Sequence, residues 1–188
     1  MRTVTRHLTL SLALLSALPL AGCAPEPAPQ ASQTTAPTDA PVFASDAEAL
    51  AAATEAYAAY LAASDVSGEA GTSSREHFLS LSSGEAHEQE LTITETFDEK
   101  GWKQIGTTTF DSMEVQSSGR NAKERWEVRV YVCLDVTNSD IVDSSGSSVS
   151  KVDRPLRMPL EVAFVDTVEN HAHLQLSESR VWSGSNFC

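Results

Sequence analysis

Positive charge is scarce in this chain: 13 Lys and Arg stand against 26 Asp and Glu in 188 residues, a formal charge of −13. Phosphate backbones are bound by clustered basic side chains, so the deficit excludes a nucleic-acid role. Cysteine is equally sparse, with three residues and no C-x-x-C pair. Beyond the first two dozen residues no apolar run is long enough to cross a bilayer. The signatures of several enzyme classes are missing too: there is no G-x-S-x-G elbow, no Walker loop and no G-x-G-x-x-G turn. What remains is an acidic chain whose surplus charge serves solubility first and attraction of a cationic partner second.

The chain opens MRTVTRHLTLSLALLSALPLAGC, with Arg2 and Arg6 in a short basic leader and an apolar run from Leu8 to Ala21. Such a run is too short to span comfortably and has the build of an export signal, residues 1–22. Leu20, Ala21, Gly22 and Cys23 resemble the lipobox of bacterial lipoproteins, in which the leader is cut before the cysteine and a diacylglycerol is attached to it. Each buried methylene of such an anchor contributes ~0.8 kcal/mol, so two or three acyl chains hold firmly where one holds marginally. Loss of Arg2 and Arg6 with the leader would take the formal charge from −13 to −15. The expectation is an exported protein lipidated at Cys23. It would sit on the outer face of the cytoplasmic membrane, or on the outer membrane of a two-membrane bacterium.

After Cys23 the stretch APEPAPQASQTTAPTDAPV, residues 24–42, holds five prolines and no large apolar residue before its last. This composition cannot bury a core and reads as a tether, ~60 Å long at ~3.1 Å per residue. Residues 43–188 then form one domain of ordinary size. Ser45 and Glu48 are spaced as a capping box, and Leu50, Ala53, Tyr57, Tyr60, Leu61 and Ser64 recur at helical spacing, predicting a helix from Asp46 to about Ser64. A short second helix is expected over SREHFLSL, capped by Ser74. A third puts Ala86, Glu90, Ile93 and Phe97 on one side and stops at Gly101. Beyond Gly101 the pattern alternates, and about four strands are expected: WKQIGTTTFDSMEVQSS, KERWEVRVYVCLDVTNSD, RMPLEVAFVDT and HAHLQLSESRVW. Helices followed by strands indicate an α+β domain, with N-terminal helices packed on one face of a curved, mostly antiparallel sheet.

In EVRVYVCLDV strict alternation assigns Val128, Val130, Val132, Leu134 and Val136 to the core face, and Arg129, Tyr131, Cys133 and Asp135 to the other. Tyr, Cys and Asp side by side would suit a nucleophile with polar helpers. Cysteine arithmetic favours a staple instead. With Cys23 committed to lipid, Cys133 and Cys188 remain as an even pair in a compartment that permits disulfides. Closing that loop contributes about 4 kcal/mol on the chain-entropy account. His171 and His173 in HAH would project to one strand face, half a metal site that lacks a third ligand unless Asp166, Glu169 or His87 supplies it; solvated surface is the better reading. The loop DSSGSS, which begins at Asp143 and follows Asp140, lacks the glutamate that closes a calcium loop and reads as a turn. No metal or other cofactor is implied.

The order of a long amphipathic helix followed by long terminal strands resembles the nuclear transport factor 2-like (cystatin-like) fold, a cone whose curved sheet wraps its helices. The segments EAYAAYL, GTTTFDSM, VRVYVCLDV and VWSGSNFC are similar to those of small actinobacterial lipoproteins of unknown function. The resemblance implies a fold and a location. Enzymes of that fold, isomerases and dehydratases, use an acid and tyrosine hydroxyls inside the cone. By residue type Asp111, Asp135, Tyr57, Tyr60 and Tyr131 are the corresponding candidates, a carboxylate in an apolar pocket having its pKa raised. The leading expectation is a tethered binding or interaction module that meets a small ligand or an envelope protein. The alternatives are a small enzyme with an acid in the cone and an accessory subunit presenting its open sheet face.

Overall fold

A computed structural model describes residues 41–68 and 72–188. The leader, Cys23 and all of the tether but its last two residues lie outside the described residues. Three helices come first: α1 (Asp46–Val66), α2 (Thr72–Ser80) and α3 (Gly84–Lys100). Six strands follow: β1 (Lys103–Gly106), β2 (Thr109–Arg120), β3 (Trp126–Asp135), β4 (Ser139–Val142), β5 (Arg157–Asp166) and β6 (Leu174–Val181). The main sheet is antiparallel throughout in the order β2-β3-β5-β6, and β1 pairs with β4 in a separate two-stranded sheet. The domain is α+β, three helices on an open curved four-stranded sheet, consistent with the nuclear transport factor 2-like architecture.

The first helix starts where the sequence places it. Ser45 Oγ accepts the Glu48 N–H at 3.2 Å, while the Glu48 carboxylate accepts the N–H of Ala44 at 2.7 Å, one residue upstream of the usual reciprocal partner. Ala49, Ala53, Tyr57 and Leu61 form the buried stripe of α1. It lies on Val128, Val130 and Val132 of β3, Leu160, Val162 and Phe164 of β5, and Leu174 and Leu176 of β6. Two alanines let the helix approach the sheet closely, and Tyr57 then fills the space beyond them, meeting Phe110 and Phe164 edge-on at 5.0 and 6.1 Å. Bulges in β2 between Asp111 and Glu114 and between Val115 and Ser117, and one between β5 and β6 at Ala163/Phe164, add local twist that bends the sheet around the helices.

Two boundaries differ from the sequence reading. The second helix begins at Thr72, so Ser74 sits within it and does not cap it. The stretch from Trp102 to Ser118 is two strands in different sheets, because Gly106 turns the chain with φ +80°, a conformation in which a Cβ would lie 2.0 Å from the Asn138 carbonyl oxygen. Its partner β4 is a strand that alternation over four residues was too short to announce. The β-prone TITETF remains helical, with Thr92, Thr94 and Thr96 each returning a hydroxyl bond to the carbonyl four residues back. Gly101 closes α3 in the left-handed region with φ 62°.

Cys133 and Cys188 are joined by a disulfide, Cα atoms 5.5 Å apart, which fixes the C-terminal tail across the outer face of the sheet. Tyr131 packs there against Trp182 and Phe187 at 5.0 and 5.9 Å. Farther along the same face Arg129 bridges Glu127, Glu161 and Glu178. His171 and His173 do not share a strand face: they lie in the turn before β6, which begins only at Leu174. Thr167 and Asn170 hold that turn by reciprocal hydrogen bonds of 2.8 and 3.1 Å.

The turn is tied to the core by Asp166, whose side chain is 4 % exposed. It accepts from Arg125 Nε at 2.7 Å, from the Trp126 N–H at 3.1 Å, and pairs with His171 Nδ1. Burial opposes its charge, but the bonds from Arg125 and His171 prevail and hold its carboxyl below the ordinary aspartate range. A depressed folded-state pKa adds stability that is present above the unfolded value and lost as pH falls through the folded one. Asp166→Asn should therefore cost about 1–3 kcal/mol at neutral pH in urea titrations, and the loss should shrink below about pH 4 as the wild-type carboxyl protonates.

Candidate functional site

The helical stripe of α3 contains one residue out of keeping with its neighbours. Between Ala86 and the apolar pair Ile93 and Phe97 stands Glu90, turned toward α1 rather than toward solvent. Opposite it Tyr60, one turn from Tyr57 and stacked parallel to that ring, donates its hydroxyl hydrogen bond to Glu90 Oε1. Phe78 of α2 backs Tyr60 at 5.3 Å. Tyr60 from α1 and Glu90 from α3 thus meet beside Phe78 of α2, held by the same core that seats α1 on the sheet.

Glu90 and Tyr60 open into a cleft of about 520 Å³ between α1 and α3 on one side and β1, β4 and the adjoining ends of β3 and β5 on the other. Its apolar walls are Leu61, Ile93, Phe97, Leu134, Ile141 and Met158. Its polar groups converge from helices, strands and the segment before β5. Gln104 is held by Asp65 at 2.6 Å, and Arg154 donates to the Ser139 carbonyl at 2.5 Å and stands 3.9 Å from Asp140. The carboxyl of Asp140 is kept low, first by the hydroxyls of Ser150 and Ser148 and then by the Ile141 N–H. Glu90 behaves oppositely: burial lifts its carboxyl above the usual glutamate range, and the Tyr60 hydrogen bond and the nearby His87 only partly offset this. The Tyr60 phenol is raised well beyond its ordinary value, by burial first and by the Glu90 charge second. One shared proton-binding pair thus lies at the wall of the cleft, with an acid poised nearer neutrality than a solvated glutamate. Such a group holds a charge at low solvation or exchanges a proton with a bound molecule.

The structure brings one of the sequence-derived candidates, Tyr60, into this cleft. Tyr57 is buried in the core, 2 % exposed, its phenol also raised by burial. Asp111 and Asp135 lie away from the cleft, where Arg157 donates to both at 2.8–3.0 Å. Their carboxyls are lowered, that of Asp111 by Arg157 and Ser112, and that of Asp135 by Thr137 before Arg157. The expected acid with raised pKa is therefore neither of them. Cross-strand register explains it, since Asp135 faces Arg157 directly on β5 and the cation takes up both acids. Tyr131 is under the C-terminal tail and accepts a hydrogen bond from Gln116 at 2.6 Å. Glu90 was visible in the sequence as an acid on an apolar helical face, and that placement was the available signal. Among the described residues no three His, Cys, Asp or Glu side chains come together to hold a metal.

A second depression of about 520 Å³ lies between α1 and the turn before β6, but its one acid, Glu55, is exposed and its α1 wall is otherwise alanine. Of its other polar side chains, Gln175 is engaged by the Ser80 carbonyl and Thr167 by that of Asn170, so the Glu90 cleft, with its half-buried acid, is the better site.

No protein-family model matches the sequence, and none of the curated proteins compared with it does. Among solved structures, the intermembrane-space region of the chloroplast protein ARC6 overlaps with a TM-score of 0.49 at 12 % identity, covering 72 % of this chain and 97 % of that one. A periplasmic fragment of TraM gives 0.48 at 15 %, covering 74 % and 98 %. Aln2 from a Streptomyces species gives 0.38 at 13 %, covering 71 % and 89 %. Overlaps at this level say nothing about a shared ligand or activity.

Removing the phenol tests how the pair is balanced. Tyr60→Phe should move the Glu90 carboxyl further upward in a carbon-13 NMR titration, because the bond that favours its charged form is gone, and should cost about 1 kcal/mol of stability.

Proposed function

We propose that this chain is an exported lipoprotein, anchored through Cys23 and spaced from the membrane by its proline-rich segment, whose α+β domain is a binding module for a small ligand held in the Glu90 cleft. The observation that carries the reading is the half-buried Glu90 carboxylate, hydrogen-bonded to Tyr60 and set among apolar walls in a cleft of ligand size. The leader, the resemblance of residues 20–23 to a lipobox and the tether composition support the address. Docking through the open sheet face is less well supported. That face carries the Arg129 ion-pair cluster and the stapled tail where a contiguous apolar patch would be needed.

One observation favours a second reading, an envelope enzyme of isomerase or dehydratase type. Glu90 with its raised pKa is suited to general acid–base work, a role that the two aspartates paired with Arg157 do not fit. A single pair of variants tests address and cleft. Cys23→Ser should abolish incorporation of labelled palmitate and release the protein from membranes. Glu90→Gln should remain lipidated but lose the rise in melting temperature that a small-molecule extract of the source cell envelope gives the wild type. Equal thermal shifts in wild type and Glu90→Gln would count against the cleft.

A further inference from the structure

We propose that the Glu90 cleft takes an organic cation, an ammonium head joined to an apolar body. The inference rests on the reading of this cleft as the ligand site and adds the chemical class of its occupant. Three charged residues line the cleft: Glu90, Asp140 and Arg154. Arg154 is engaged by the Ser139 carbonyl and lies beside Asp140, which leaves Glu90 as the lining charge that forms no ion pair among the described residues. A carboxylate drawn out of water with a single phenol as donor keeps unused acceptor capacity, and a cation supplies what desolvation removed. Phe97 belongs to the same wall, and an aromatic ring attracts a weakly hydrated ammonium group within about 6 Å of its centre. Ile93, Leu134 and Met158 offer the apolar body its contact.

An anionic head is disfavoured by Glu90 and Asp140 together, and the formal charge of −13 draws cations toward the domain before contact. A neutral head leaves the Glu90 charge as poorly compensated as in the empty cleft. The groups facing Glu90 are Tyr57 and Tyr60 from α1, His87 on its own helix, and Asp140 and Arg154 across the cleft. Protonation of Glu90 removes the attraction, so affinity for a permanently charged ammonium rises as pH climbs through the elevated carboxyl value and then levels off.

Titration calorimetry on the full-length protein with three probes sharing one apolar body decides the matter: 3-phenylpropyltrimethylammonium, 3-phenylpropanol and 3-phenylpropanoate. The cation should bind roughly tenfold or more tightly than the alcohol, the alcohol more tightly than the acid, and cation binding should weaken as pH is lowered. Glu90→Gln should bring the cation down to the level of the alcohol and abolish the pH dependence. Phe97→Leu should weaken the cation more than the alcohol. Alcohol or acid binding as tightly as the cation would overturn the inference while leaving the cleft a ligand site. Binding of none of the three would overturn both readings.

Discussion

Everything in the domain depends on how closely α1 can approach the inner face of the sheet. Ala49 and Ala53 carry so little side chain that the helix settles directly on the valines of β3 and β5. Tyr57 and Leu61, one and two turns further on, then occupy the space that the curved sheet leaves. Burial of these apolar surfaces, at about 25 cal/mol per Å², supplies the main drive to fold. The same contact fixes where Tyr60 points, because a residue three positions after Tyr57 lies to one side of the buried stripe and faces α3.

The cleft follows from that geometry. Helix α3 packs on β6 and α2 with its Ala86 end buried, while its Ile93 and Phe97 end lines the open space of the cleft. Glu90 sits where the packed half gives way to the open half. A carboxylate at that boundary is desolvated on the core side and accessible on the other, which accounts both for its raised pKa and for its reach into the cleft. The contrast with Asp111 and Asp135 is instructive: Arg157 lowers the first and Thr137 with Arg157 the second, while burial among the helices raises Glu90.

The outer face has a separate logic. Its strands carry Arg129 among three glutamates, and beside them the tail is bound by the disulfide and by ring contacts of Tyr131 with Trp182 and Phe187. Cys133 is fully buried under that cover although it belongs to the face opposite the core. A strand residue that alternation assigns to the face away from the core becomes interior when the chain end folds back over it. The arrangement replaces two thiols with a cross-link.

Local physics is legible in the sequence and was sufficient for much of the fold. Spacing of apolar residues and the Ser45 cap located α1, the glycine after Lys100 ended α3, and strict alternation assigned the core face of β3. Cysteine count named the Cys133–Cys188 pair. Alternation could not separate β1 from β2, since the break depends on a glycine conformation set by the backbone of Asn138, far along the chain. Nor could residue type choose among the acids. Charge state depends on the neighbours an acid acquires across strands and between helices, and only tertiary packing placed Arg157 between Asp111 and Asp135 and left Glu90 with Tyr60. Sequence decides what each segment does by itself; the site exists where segments distant in sequence exclude water together.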